Sequence, residues 1–501
     1  MEMIPLQQTG ELSEAIQIAL NTVLDPMNLV IILLAAVLGL LLGILPGVGG
    51  PIGIALLIPI TFEMEPNIAI MIMVATLGGT AFGGSVTAIL LNTPGDAPNA
   101  ATLLDGYPMA RQGRGGEAIA ASAVSSAGGA LLGIGLFLIT IPFIREISLA
   151  FGPPQIFWLA IIGLATIAVV TRGSVLTDLI AGAFGLMLAF HGLNSVTGTA
   201  RFNWGTTYLF DGFPLIPLII GLFAIAEIIK LTSRGSTISK AEIAKGGRMK
   251  GVRSTAKNWG LFLRSSVLGW FIGVIPGAGG TVANFLAYIQ AEQSSSNSES
   301  FGKGDVRGVI ASESANDAKD GGSMVPTLGL GIPGSASTAV LLGAFVIHGI
   351  TPGPLLFQEN LQIVFIVVFA LLISNVVTSF VGILTANQFV KVTRIPITTV
   401  APVMLAIALI GAFAVRSSLM DLGVAVGFGI FGYLMIKYGM SRVAIVIALV
   451  LGPIAEANFH RALQISRGDY AAFYNEPLSL GLIVVGIVIL SYPIYTAVSN
   501  Q

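Results

Sequence analysis

The chain has 501 residues, of which 54% are hydrophobic and 10% charged, with a formal net charge of −1 at pH 7. This balance excludes an ordinary soluble protein and gives no basis for a nucleic-acid partner; it is the composition of a polytopic membrane protein. Cysteine is absent, which excludes disulfides and thiolate-bound metals.

Residues 1–28 contain no Lys or Arg and no apolar stretch followed by a small-residue cleavage site, so no cleavable signal peptide is read there. From Ser13 to Leu24, Ile16, Leu20, Val23 and Leu24 recur at helical spacing, which predicts an interfacial helix or, alternatively, the first turn of the first span. The stretches Asn28 to Leu45, Ala118 to Ile141, Ile156 to Thr171, Ile363 to Thr385 and Leu478 to Val498 approach the ~20 apolar residues that span a bilayer. About 11–12 transmembrane helices fit the chain, so the predicted fold is an all-α polytopic membrane protein. Glycine supplies 62 residues, which in such a protein signals close helix contacts and broken helices.

Two breaks stand out, Gly43-Ile-Leu-Pro-Gly-Val-Gly-Gly50 and Gly273-Val-Ile-Pro-Gly-Ala-Gly-Gly280, both built on G-x-x-P-G-x-G-G. Each is followed by a second break, Leu91-Asn-Thr-Pro-Gly95 and Gly331-Ile-Pro-Gly-Ser335. The chain therefore reads as two repeats. Backbone at membrane depth leaves the helix only where protein or a water-filled cavity satisfies it, and transporters use such unwound segments to hold substrates and ions. The short apolar runs Pro51 to Phe62 and Thr281 to Ala291 are re-entrant segments or second halves of broken helices.

Between the repeats, Leu231 to Asn258 carries Arg234, Lys240, Lys245, Arg248, Lys250, Arg253 and Lys257 against Glu242 alone, and the positive-inside rule makes it cytoplasmic. The short basic loops Lys391 to Arg394 and Lys437 to Arg442 should face the same side. Glu2, Glu11, Glu14 and Asp25 precede any basic residue, which reads as an extracytoplasmic start and makes the two repeats inverted. The expected divisions are 1–27, an N-terminal interfacial segment; 28–230, the first transmembrane repeat; 231–258, the basic linker; and 259–501, the second repeat.

At the first breaks, freed amides and the positive end of the following helix suit an anion, although glycine kinks also serve plain helix packing. A P-loop is a poor reading because neither copy is followed by Lys-Ser/Thr, and no ATP site is read. The substrate-binding candidates are Gly47, Gly49, Asn92, Thr93, Gly95, Gly277, Gly279, Gly334, Ser335 and Ser337. The cation-binding candidates, offering hydroxyl, amide and backbone oxygens, are Gly83, Ser85, Thr87, Asn316, Ser323 and Thr327. Taken singly, such Ser and Thr residues more often bond their own helix backbone. Glu313-Ser-Ala-Asn-Asp-Ala-Lys-Asp-Gly-Gly322 is charged where the first repeat has the apolar Ala75 to Gly84. Glu313, Asp317, Lys319 and Asp320 are accordingly candidates for coupling to cations or touching substrate, or alternatively ordinary ion pairs in an aqueous loop. His191, His348 and His460 show no metal-ligand spacing.

The segments Gly83-Gly-Ser-Val-Thr-Ala-Ile-Leu-Leu-Asn-Thr-Pro-Gly95, Leu104-Asp-Gly-Tyr-Pro-Met-Ala-Arg-Gln-Gly113, Leu330-Gly-Ile-Pro-Gly-Ser335 and Leu341-Leu-Gly-Ala-Phe-Val-Ile-His-Gly-Ile-Thr-Pro-Gly-Pro-Leu-Leu356 closely resemble the large membrane subunit of the tripartite tricarboxylate transporters, the TctA family. The resemblance implies a permease of a bacterial or archaeal cytoplasmic (inner) membrane, not an enzyme. It implies two partners, a small four-span membrane subunit (TctB-like) and an extracytoplasmic solute-binding protein (TctC-like). The implied substrate is citrate or another carboxylate, carried with Na⁺ or H⁺ and without any other cofactor. Where the family commonly reads Glu-x-x-Asn-Asn-Ala-Ala, this chain has Glu313-Ser-Ala-Asn-Asp-Ala-Lys319, and Asp96 adds a charge beside Asn92-Thr-Pro-Gly95.

Coupling is also an energetic expectation. One negative charge moved inward against a negative-inside potential costs about 2.3 kcal/mol per 100 mV, so a trianion costs roughly 7 kcal/mol. A passive channel and a membrane-embedded enzyme built on the Glu313 to Asp320 carboxylates are the alternative readings.

Overall fold

The computed structural model describes residues 4–45, 47–168, 175–194, 196–234, 247–277, 279–392, 397–414 and 416–499. The first half contains α1 (Ile4–Leu24), α2 (Pro26–Ile44), α3 (Gly50–Thr61), α4 (Pro66–Leu91), α5 (Ala100–Met109) and α6 (Gly115–Leu149), then α7 (Pro153–Ala165), α8 (Val175–Ala189), α9 (Leu215–Ile219) and α10 (Ala226–Arg234). After α11 (Arg248–Lys257), the second half contains α12 (Trp259–Val274), α13 (Gly279–Gln293), α14 (Val306–Leu330), α15 (Ala336–Ile347), α16 (Pro354–Glu359) and α17 (Leu361–Val392). It ends with α18 (Ile397–Ala414), α19 (Leu419–Lys437), α20 (Arg442–Ile465) and α21 (Pro477–Ser499). Among the described residues the only sheet is a ribbon pairing Gly192–Leu193 with Ala200–Arg201. Among the described residues seven helices are long and apolar enough to cross a membrane, and shorter apolar helices accompany them. The protein is thus an all-α, multi-pass membrane protein.

Both G-x-x-P-G-x-G-G segments interrupt helices as expected: α2 gives way to the short α3, and α12 to the short α13. Gly47 and Gly277 take φ of 83° and 78°, a conformation open to glycine at no steric cost. Pro46 and Ala278 of these motifs lie outside the described residues.

The two halves pack by exchange. α4 lies against α2 and against α17 of the other half, while α14 lies against α12 and against α6 of the other half. The short helices repeat the pattern, α3 touching α15 and α13 touching α5. Glycines set the spacing: Gly39 and Gly43 lie on the backbone of Thr76 and Thr80, and Gly269 and Gly273 on the backbone of Ala315 and Lys319. Small residues let helix backbones approach where lipid supplies no hydrophobic drive between helices.

These contacts fix the register between the halves and correct the sequence alignment by one residue. Thr76 corresponds to Ala315 and Thr80 to Lys319, so Gly83 matches Gly322 rather than Gly321. The same register pairs Asn92 with Gly331, left-handed caps at φ of 55° and 72°. It also pairs the capping box of Asp96 and Asn99 with that of Ser335 and Thr338.

The N-terminal helix is separate from the first span, because Asp25 caps α2 by accepting from the Met27 and Asn28 amides at 3.0 and 3.2 Å. Pro26 follows at a position where its missing N–H is harmless. The buried face of α1 is Ala15, Ala19 and Val23, while Leu20 and Leu24 point outward. This differs from the face expected from the larger residues, because small side chains let α1 sit closely on α17.

The basic linker is partly helical. Its described part forms the end of α10 and α11, whose Gly251 lies on the Glu117 carbonyl near the start of α6; residues 235–246 lie outside the described residues, as does the Arg394 end of the Lys391 loop. At the other end of α6, Arg145 pairs with Glu11 of α1. α6 has 35 residues, roughly 50 Å of helix, against a bilayer core of about 30 Å. The acidic N-terminal helix and the basic linker therefore meet α6 at opposite ends.

Candidate functional site

The two pairs of breaks converge. Gly50, at the start of α3, lies against Ser337 of α15, whose Oγ would stand 2.6 Å from a Cβ at that position. In the equivalent place Gly280, at the start of α13, lies against Pro98, just before α5. Within each half the breaks also touch: the Gly47 amide donates to the Gly95 carbonyl at 3.1 Å, and the Gly95 amide to the Gly84 carbonyl at 3.2 Å. Gly334 packs on Ser323, and its amide donates to Thr327 Oγ1 at 3.2 Å.

The charged stretch is no aqueous loop. Glu313, Asn316, Asp317, Lys319 and Asp320 all lie in α14 and are buried, Glu313 being 0% exposed. Glu313 and Asp317 are one turn apart and face α6, where Ser122 and Ser126 are also one turn apart; such pairs share one side of a helix. Ser85 and Ser122 donate to Glu313 Oε2 at 2.8 and 3.0 Å, and Thr102 donates to Oε1. Ser126 donates to Asp317. Asn99 joins the group by donating to Ser85 Oγ at 2.8 Å, and Thr102 meets Ser312 at 3.0 Å. A carboxylate of the second half is thus held by hydroxyls from α4, α5 and α6 of the first.

Lys319 forms an ion pair with Asp320. Its alkyl stem crosses Gly280, where Cε would stand 2.5 Å from an added Cβ. Asn284 of α13 donates to the Pro98 carbonyl at 3.0 Å and to Asn316 Oδ1 at 3.1 Å, so Asn316 lies beside the first turns of α13.

The first break carries the opposite sign. Asp96 caps its own helical turn through the Ala97 amide at 2.7 Å, and its carboxylate crowds Gly49 at the start of α3. Glu227 Oε1 would lie 3.4 Å from a Cβ on Gly47, and Glu227 pairs with Lys230 and with Arg442 at 3.4 Å. A carboxylate at a helix N-terminus is favoured by the dipole. Of the two helix starts, the one at Gly280 has the ammonium beside it.

Not every candidate joins this junction. Asn92 and Thr93 are exposed at the end of α4, and Thr93 donates to the Leu91 carbonyl at 3.3 Å. Gly83 faces Leu40 and Gly43 as a packing contact. Thr87 and Ser323 donate to backbone carbonyls of their own helices at 2.9 and 3.0 Å. Gly277 and Gly279 are partly exposed, with Gly279 open to solvent-accessible space. Sequence reasoning missed Asn99, Thr102, Ser122, Ser126, Glu227, Asn284 and Arg442. For Ser122 and Ser126 a signal existed, a four-residue spacing that matches Glu313 and Asp317; Asn99 and Asn284 each lie four residues after a glycine break, at Gly95 and Gly280, and Thr102 two residues before Leu104, while Glu227 and Arg442 lie far from the motifs along the chain. Among the described residues no three His, Asp or Glu converge as a metal site.

The chain matches the family described as "Tripartite tricarboxylate transporter TctA family" over residues 29–447. It is 33% identical over 487 residues to an "Uncharacterized 52.8 kDa protein in TAR-I ttuC' 3'region" of Agrobacterium vitis, covering 95% of both chains. A second relative, "Uncharacterized protein in TAR-II ttuC' 3'region" of the same organism, is 33% identical over 220 residues, covering 44% of this chain and 91% of its own length. No solved structure matches. The extent of these matches, over a multi-pass helical fold with paired helix breaks, places the chain in the tripartite tricarboxylate transporter TctA family, a family of transporters rather than enzymes.

Proposed function

We propose that this protein is the permease subunit of a tripartite, binding-protein-dependent secondary transporter that imports a citrate-like tricarboxylate or related carboxylate together with Na⁺ or H⁺. The observation that carries the reading is the placement of Lys319 over Gly280, beside the start of α13 and against the Pro98 segment. Freed amides, a helix N-terminus and a buried ammonium are together suited to a carboxylate. The buried acids of α14 suit a cation, and the cation offsets the work of carrying anions inward against the membrane potential.

The partners in this reading are a four-span TctB-like subunit and a TctC-like binding protein, and the membrane is the bacterial or archaeal cytoplasmic one. The binding protein delivers the carboxylate from outside. Opposite attachment of α1 and α11 along α6 supports inverted halves and an extracytoplasmic N-terminal segment. Exchange packing of the halves then supports alternating access by motion of one against the other around the shared junction.

Uptake of radiolabelled citrate into vesicles holding this chain and its small subunit tests the reading, with and without the binding protein and with Na⁺ replaced by choline. Accumulation that requires the binding protein and a cation gradient is expected. Uptake that only equilibrates would indicate a passive pore instead.

A further inference from the structure

Three buried oxygens on α13 and α14 have no hydrogen-bond partner: Asp317 Oδ1, Asp320 Oδ2 and Asn284 Oδ1. Their residues are 1%, 2% and 0% exposed. Such orphans are costly, and each calls for a ligand or ion. They are also connected. Asn284 bonds Asn316, which lies one turn before Asp320 on α14, and Asp317 precedes Asp320 by three residues on the same helix, within one turn of it.

We infer that Asp317, Asp320 and Asn284 form a Na⁺ site under the control of Lys319, whose ammonium competes with Na⁺ for Asp320. The proposal deepens the carboxylate–cation reading above and rests on it for the role of the substrate. Several orphaned oxygens on separate residues, one of them a neutral amide, fit a hard metal cation; a proton needs one carboxylate oxygen only. Two carboxylates with an amide suit Na⁺ rather than a divalent ion, for which no three acidic or His ligands converge among the described residues.

The Lys319–Asp320 pair supplies the coupling. With the ammonium on Asp320, the two acids and one base carry a net charge that weakly attracts Na⁺. A substrate carboxylate at Gly280 draws the ammonium to itself, and Asp320 is released beside Asp317 to take the cation. By linkage the cation then tightens the carboxylate by the same factor. The first half has no such device: in the packing register, Gly78, Thr80 and Ala81 stand where Asp317, Lys319 and Asp320 stand in the second.

The test is ²²Na⁺ binding to the purified full chain in detergent, without any carboxylate. Lys319→Gln removes the tethered competitor and should tighten Na⁺ by about tenfold or more, since a neighbouring charge shifts a carboxylate's affinity on that scale. Lys319→Arg should bind as the wild type does. Asp317→Asn and Asp320→Asn should each lose saturable binding, with size-exclusion profiles reporting the fold of every variant. Na⁺ binding that is no tighter in Lys319→Gln than in the wild type overturns the proposal. Binding that survives in both folded Asp variants overturns it as well, and so does a response to pH with none to Na⁺. If Lys319→Gln does not fold, the two Asp variants and added citrate decide, because citrate should tighten Na⁺ in the wild type. Citrate uptake by the whole system tests the transport reading separately, so an absent uptake with the expected Na⁺ shifts would reject only the choice of substrate.

Discussion

Ser85 donates a hydrogen bond to Glu313 at 2.8 Å, joining α4 of the first half to α14 of the second. The same carboxylate takes hydroxyls from Thr102 and Ser122, so one side chain ties three helices across the boundary between the halves. Glu313→Ala leaves three buried hydroxyls without their acceptor, at about 1–3 kcal/mol for each one that finds no substitute. Its thermal midpoint in detergent should fall by several degrees. Glu313→Gln keeps the shape and an acceptor, so it should retain most of the stability while losing cation-dependent uptake. A Gln variant with wild-type transport would remove Glu313 from coupling.

The contact between Gly280 and the Lys319 stem leaves no room for a methyl group. Gly280→Ala must displace Lys319 from the start of α13, and carboxylate uptake is expected to fall by about tenfold or more, since misplacements of roughly 1 Å cost that much at ligand sites. Gly280 is itself buried against Lys319 and Pro98, so the fluorescence-detected unfolding midpoint should fall as well, and uptake is compared at equal amounts of folded protein. Uptake at the wild-type level would show that the position of Lys319 does not matter.

Arg442 donates to the Leu222 carbonyl at 2.9 Å and pairs with Glu227, which is 2% exposed. Arg442→Met removes one of the two cations facing that carboxylate and leaves Lys230 alone. A buried charge left with no partner costs about 3–5 kcal/mol; with Lys230 still paired to Glu227 the loss should be smaller than that. Double substitution with Glu227→Gln should recover part of the loss, and a double-mutant cycle in detergent measures it.

α11 docks on α6 through Gly251, which sits on the Glu117 carbonyl and beside Ala121. A bulky side chain there forces the linker helix away from α6. Gly251→Leu should make the linker more accessible to trypsin in inside-out vesicles and leave citrate binding to the purified chain near its wild-type value. Accessibility from the opposite face in right-side-out vesicles would reverse the assigned orientation.

Composition and periodicity alone determined that the chain is a helical, multi-pass membrane protein, because a bilayer admits only apolar helices or closed barrels and this sequence has helical runs of the right length. They also located the breaks, since G-x-x-P-G-x-G-G leaves few helical conformations for its glycines, and the duplicated pattern was visible without any structure. What the sequence could not decide was which residues meet. Ser122 and Ser126 are ordinary small residues of a glycine- and alanine-rich helix until α14 brings Glu313 and Asp317 against them. Asn92 and Thr93 sit beside a Pro-Gly motif yet face outward, because the left-handed cap at Asn92 turns them away. The one-residue register between the halves was likewise set by glycine contacts on Thr76 and Ala315. Local signals fix where a helix stops; only packing across distant segments, which depends on side-chain size and burial throughout the fold, assigned Lys319 to Gly280 and left Asp317 and Asp320 with oxygens to share.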